Sequence, residues 1–121
     1  MKKVFETKII AIGPEAQNMI ADAGMFILFG EGAPADLAEF CFTINDKTLA
    51  RPIQIGGKLV VDGLEYPITA VGGVVEKNLS NLGHITVALD GSVEGSLPGT
   101  LHIQVENPPV LKEGTVIQIF S

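Results

Sequence analysis

Lys58-Leu59-Val60-Val61-Asp62-Gly63-Leu64-Glu65-Tyr66-Pro67-Ile68-Thr69-Ala70-Val71 carries the clearest structural signal in the chain. Two β-rich runs, 58–61 and 65–71, flank Asp62-Gly63, a dipeptide that readily takes the positive φ angles of a tight hairpin turn. A hairpin is therefore expected here. Pro67 cannot donate a ladder hydrogen bond, so its strand should lie at an edge, or the missing donor should face outward.

Working outward, short strands recur on both sides. Towards the N-terminus, Val4 to Ile12 is isoleucine-rich and ends at Gly13-Pro14, Met25 to Phe29 is a compact apolar run between glycines, and Phe40 to Ile44 resumes strand chemistry. Between the first two, Glu15 to Ala23 reads as a helix closed by Gly24. Glu31 to Leu37 reads as an ordered loop with a helical turn after Pro34. Towards the C-terminus, Val74 to Leu82 places Val75, Leu79 and Leu82 on one helical face, and Gly83 ends it. His84 to Leu89 then reads as a strand, while Thr100 to Val105 and Thr115 to Phe120 alternate with period two around Asn107-Pro108-Pro109. Six to eight short strands with two or three short helical inserts predict an all-β protein, a partly open β-barrel or a sandwich. No internal repeat is apparent in the residues.

At 121 residues the chain suits a single domain, 1–121. Its formal net charge of −6, with no basic run, argues against nucleic acid and against anionic membrane surfaces as partners. No stretch approaches the ~18 uncharged apolar residues of a membrane-spanning helix, and Glu6 and Lys8 interrupt any signal-peptide core. The only cysteine, Cys41, sits between Phe40 and Phe42 as a packing residue and fits a reducing, cytoplasmic setting. Neither Gly56-Gly57 nor Gly72-Gly73 continues into a nucleotide-binding motif.

The chemistry concentrates on two histidines, His84 and His102. Strand parity sets Ile85, Val87 and Leu89 on one face and His84, Thr86 and Ala88 on the other; likewise Thr100, His102 and Gln104 oppose Leu101, Ile103 and Val105. If these two strands pair antiparallel with Thr86 opposite His102, the imidazoles become diagonal neighbours about 7–8 Å apart. A neutral imidazole nitrogen can accept a phosphoryl group and pass it on. The bland reading of His84 is a strand-start residue whose ring bonds a carbonyl. His102 is either an outward residue without a role or an orienting partner. The backbone amides of Gly72 and Gly73 and the hydroxyls of Thr86 and Thr100 are candidate stabilisers of a bound phosphoryl group. Two histidines fall one ligand short of a catalytic zinc site, so no metal is expected. Apart from a phosphocarrier, the residues leave open a noncatalytic β-barrel module binding carbohydrate or a protein, although the scarcity of aromatics disfavours a sugar-stacking surface.

Several separated motifs resemble one family in the same order: Glu31-Gly32-Ala33-Pro34-Ala35-Asp36-Leu37, Cys41-Phe42, Tyr66-Pro67-Ile68-Thr69-Ala70-Val71-Gly72, Asn78-Leu79, Leu82-Gly83-His84-Ile85-Thr86 and Pro98-Gly99-Thr100-Leu101-His102. The chain thus resembles the glucitol/sorbitol-specific enzyme IIA components of the bacterial phosphoenolpyruvate-dependent sugar phosphotransferase system. The resemblance implies a cytoplasmic phosphocarrier with a barrel fold. It would accept a phosphoryl group from the phosphohistidine of HPr and pass it to the IIB component, which works with IIC at the membrane in sorbitol uptake. It also implies that no metal or nucleotide cofactor is required. Some members carry histidines shortly after the Cys-Phe pair, where this chain has Thr43-Ile44-Asn45. With only two imidazoles available, the phosphoryl group is assigned to His84 and a supporting role to His102. Glu31, Asp36 and Glu39 are expected to rim an apolar docking patch for HPr.

Overall fold

The computed structural model describes residues 1–121 and folds them into eight strands and three short helices. The strands are β1 (Lys3–Ile12), β2 (Met25–Gly30), β3 (Cys41–Ile44), β4 (Lys58–Val61), β5 (Leu64–Val71), β6 (Ile85–Ala88), β7 (Thr100–Ile103) and β8 (Val116–Phe120). The helices are α1 (Ala16–Ala23), α2 (Ala35–Ala38) and α3 (Val75–Leu82). The strands form a closed barrel in the order β1-β3-β2-β6-β7-β5-β4-β8. Mainly β architecture with short helical inserts is what the sequence predicts; of barrel and sandwich, the ring closes as a barrel.

The hairpin of β4 and β5 is as expected. Val61 pairs with Leu64, and both turn residues take positive φ, 47° at Asp62 and 85° at Gly63. Because the barrel closes, β5 is not an edge. Pro67 instead uses only its carbonyl towards the β7 side, accepting from Gln104 N at 2.9 Å, one residue past the end of β7.

Alternation fills the interior. Phe26, Leu28, Phe42, Ile44, Ile85, Val87, Leu101, Ile103, Ile117 and Ile119 are all essentially inaccessible and belong to one core. Eight-residue helices are too short to persist alone. Here α1 inserts Ala16 and Ile20, and α3 inserts Val75 and Leu79, into the same core. Each large side chain so buried contributes about 1.5–3 kcal/mol.

The fold contains a repeat that the residues conceal. A shift of 59 carries α1 onto α3 (75 minus 16, 82 minus 23) and β3 onto β7 (100 minus 41, 103 minus 44). The same exchange maps the strand order onto itself, giving the barrel a pseudo-two-fold between β2 and β6. Hydrogen bonds follow it: Gly13 N donates to Cys41 O and Gly72 N to Thr100 O, each at 2.9 Å. Few equivalent positions are identical, and many of those are glycines held by backbone geometry: Gly13/Gly72, Gly24/Gly83 and Gly32/Gly91. Gly24 and Gly83 close their helices in the left-handed region at φ 64° and 68°.

One expectation fails. β6 and β7 pair in parallel, not antiparallel, with Thr86 opposite Thr100 and Ala88 opposite His102. Residues 89–99 form the long crossover that parallel neighbours require. The crossover returns over the outside of the barrel, and its Leu97 and Pro98 carbonyls pass so close to Gly72 that a Cβ there would collide with them.

Candidate functional site

His84 stands between the end of α3 and the start of β6. Gly83 N donates to Leu79 O at 2.9 Å and His84 N to Asn78 O at 3.2 Å, so the helix closes in an αL turn at Gly83 that fixes the backbone entering the histidine. Behind this turn two chains nearly touch: a Cβ on Gly83 would lie 2.7 Å from Gly30 N and 2.9 Å from Gly30 Cα. Glycine at 30 and 83 lets β2 pass directly behind the residue preceding His84.

The imidazole is half-buried on the outer face of the barrel. Its Nδ1 lies 3.3 Å from Leu28 O, and the ring tilts over Phe29 with centroids 4.5 Å apart. A carbonyl can only accept, so Nδ1 carries the proton and donates it to Leu28 O. In the neutral ring Nε2 then keeps its lone pair. The backbone thus selects the tautomer that leaves Nε2 nucleophilic. Neither the Leu28 carbonyl nor the Phe29 ring was found from sequence, since a main-chain acceptor has no residue signature.

Beside the turn lies a cavity of about 220 Å³ lined by Gly30, Glu31, Asn45, Asp46, Lys47 and Leu82 among others. Lys47 Nζ donates to Asn81 O at 2.7 Å in the last turn of α3, which ties a cation to the carbonyl three residues before His84 in the chain. Ile44 reaches the same place, its Cδ1 3.4 Å from where a Gly83 Cβ would sit. The Thr43-Ile44-Asn45 segment therefore borders the His84 turn.

His102 is brought elsewhere. With the parallel register it lies four residues beyond the level of His84, about 13 Å along the strand direction. The two rings do not converge, and the two-histidine metal reading loses its ligand pair. His102 is 3 % exposed, sealed on the outer face of β7 beneath the crossover. Its Nδ1 lies 2.8 Å from Asp90 Oδ1, while Nε2 is buried with no hydrogen-bond partner. That hydrogen bond, helped by the amide of Ser92, holds the Asp90 carboxyl below its ordinary range. Thr69 Oγ1 donates to Ser92 O at 2.6 Å, tying the same loop to β5.

The remaining candidates divide. Thr86 is half-buried on the His84 face, and its amide donates to Gly99 O at 3.2 Å. Thr100 lies opposite it, 8 % exposed. Gly72 and Gly73 precede α3 while His84 follows it, and eight helical residues separate the two ends by about 12 Å. Their amides do not face the ring, and that of Gly72 is committed to Thr100 O. Cys41 is 2 % exposed, its thiol bonded to Leu37 O and pushed up by burial, as suits a packing residue.

The family described as PTS system glucitol/sorbitol-specific IIA component matches residues 4–118. Two curated relatives, from Shigella flexneri and Escherichia coli, are each named PTS system glucitol/sorbitol-specific EIIA component. Each is 39% identical over 121 residues, which covers 100% of this chain and 98% of the relative. The crystal structure of a PTS system IIA component from Enterococcus faecalis superimposes with a TM-score of 0.83 at 23% identity, covering 97% of this chain and 100% of that one, a likeness of fold.

Proposed function

The chain belongs to the glucitol/sorbitol-specific IIA family of the sugar phosphotransferase system, a family of phosphocarriers, and on that premise we propose that His84 Nε2 carries the phosphoryl group. The observation that supports this is the Nδ1 contact to Leu28 O on a ring left half-exposed. In the reaction, the His84 Nε2 lone pair attacks phosphorus of a phosphohistidine on HPr. The donor N–P bond breaks, its electron pair returns to the donor imidazole, and a new N–P bond forms at His84. The Nδ1 proton stays on the ring throughout, where Leu28 O stabilises the added positive character. Transfer to the IIB component reverses these steps, and the phosphoryl group ends on glucitol as it enters the cytoplasm.

Lys47 is placed to offset charge on the phosphoryl oxygens, and the Thr86 hydroxyl shares the face on which they would lie. Gly83 and the Leu28 carbonyl hold the ring in its attack geometry. His102 acts as a positioning residue: through Asp90 it fastens the crossover whose Pro98 and Gly99 carbonyls hold Val74 N and Thr86 N. The 121 residues work as one domain.

The test is incubation with phosphoenolpyruvate, enzyme I and HPr, read by intact mass and acid lability. Wild-type protein gains one acid-labile phosphoryl group, His84→Ala gains none, and His102→Ala gains one more slowly. Labelling of His84→Ala together with its loss in His102→Ala would reverse the assignment.

A further inference from the structure

Phe5, Phe26, Phe29 and Phe42 are buried, and of these Phe29 alone lies outside the barrel core. Alternation along β2 turns it outward with Met25 and Ile27, yet those two are half-buried while Phe29 is 8 % exposed. The imidazole of His84 lies against it, with centroids 4.5 Å apart and planes inclined by 33°. The β2–β6 ladder puts it there: Leu28 pairs with Ile85, and one step further along the same antiparallel register Phe29 faces His84.

The fold does not require this pair. The shift of 59 that relates the two halves carries Met25 onto His84 (84 minus 25) and Phe29 onto Ala88 (88 minus 29), and Met25 and Ala88 are themselves paired on the same ladder. One end of the ladder thus sets a thioether against a methyl group, and the other sets an imidazole against an aromatic face.

Leu28 and Phe29, neighbours in β2, constrain the imidazole differently. Leu28 O accepts from Nδ1 at 3.3 Å, and because an imidazole N–H lies in the plane of its ring, this bond fixes the edge. Phe29 fixes the face. When Nε2 bonds to phosphorus while Nδ1 keeps its proton, the ring acquires a delocalised positive charge that the neutral ring lacks. An aromatic face is the negative part of its quadrupole and attracts a cation within about 6 Å of the centroid. Phe29 therefore interacts more strongly with phosphorylated His84 than with the free, neutral ring.

We propose that Phe29 is a positioning residue that sets the phosphoryl-transfer potential of His84 by stabilising the phosphoimidazolium relative to the neutral imidazole. The inference rests on His84 as the phosphoryl acceptor and adds no step to the transfer: the N–P bond of the donor breaks as that to Nε2 forms, and the donor ring regains its electron pair. Since the same type of bond breaks and forms, the equilibrium between the two carriers is decided by how each protein holds its phosphorylated ring. An aromatic face behind His84 moves that equilibrium towards this chain.

The experiment mixes phosphorylated HPr with the unphosphorylated protein and, in the reverse direction, the phosphorylated protein with unphosphorylated HPr, without phosphoenolpyruvate or enzyme I, and reads the common end point by intact mass. Phe29→Leu and Phe29→Met remove the ring but keep an apolar side chain, and should move the equilibrium constant towards phosphorylated HPr by about three- to tenfold. Phe29→Tyr, which keeps the ring, and Met25→Leu, at the equivalent place in the other half, should stay within about twofold of wild type. A residue that only packs alters the rate of approach and leaves the end point alone. A wild-type end point in the Leu and Met variants therefore overturns the proposal, as does an equal displacement in the Tyr variant. In the wild-type protein a His84 ring proton should be shifted upfield by the Phe29 ring current before and after phosphorylation, and loss of that shift on phosphorylation also overturns it. Phosphate incorporated into His84→Ala overturns instead the reading of His84 as acceptor.

Discussion

Gly24 and Gly83 occupy equivalent places in the two halves, which makes them a matched pair for measuring what the close passage behind His84 is worth. Both close a helix with positive φ, 64° and 68°. Alanine in that conformation costs about 1 kcal/mol relative to glycine. At Gly24 this is the whole penalty, because a Cβ would meet nothing within 4 Å. At Gly83 the Cβ would press on Gly30 N and Cα at 2.7 and 2.9 Å, and backbone of a central strand cannot swing aside as a side chain would. Overpacking of this kind adds about 1–3 kcal/mol. Gly83→Ala should therefore destabilise by about 2–4 kcal/mol and Gly24→Ala by about 1 kcal/mol. With a urea m-value of about 2 kcal/mol/M, the two midpoints should differ by roughly 1 M at the centre of that range. Phosphorylation at a temperature where both remain folded adds the functional half: Gly24→Ala should accept the phosphoryl group at the wild-type rate, whereas Gly83→Ala, which displaces the backbone entering His84, should be slower. Superimposable urea transitions for the two variants would refute the reasoning, because the penalty would then be conformational only.

Two further outcomes follow from the buried pair under the crossover. His102→Ala should lose about 2 kcal/mol through the truncated, sealed side chain, and hydrogen exchange should quicken across 89–99 while the equivalent segment 31–40 stays protected; uniform quickening would deny His102 its role as a local fastener. The Asp90 carboxyl is held low chiefly by its hydrogen bond to His102. The unfolded chain then binds more protons than the folded one near and below pH 4, and the stability contributed at higher pH is lost as pH falls through the lowered value. Asp90→Asn should flatten that acid limb of the stability profile, and an unchanged limb in urea melts across pH 2–5 would show that the pair contributes nothing there.

Local chemistry was legible wherever neighbours in the chain decide it. Asp62-Gly63 can turn a hairpin from its own φ preferences, and Gly24 and Gly83 close helices for the same reason. Alternation named the inward residues of β6 and β7 correctly, so both histidines were placed on the outer face. What alternation could not supply was direction. Parity is identical for parallel and antiparallel neighbours, and the eleven-residue link 89–99 permits either. An antiparallel pairing would bring the rings together, whereas the parallel pairing separates them and buries one.

From the sequence alone came strand periodicity, turn chemistry, the scarcity of imidazoles and the motif order that marks the family, since these are properties of residues and their immediate neighbours. Tertiary structure decided barrel closure, the two-fold repeat, the separation of His84 from His102 with only the latter sealed, and the tautomer of His84. Those depend on main-chain groups distant in sequence, Leu28 O at His84 Nδ1 and Gly30 behind Gly83. A carbonyl oxygen is the same on every residue, so its position becomes known only when the chain has folded.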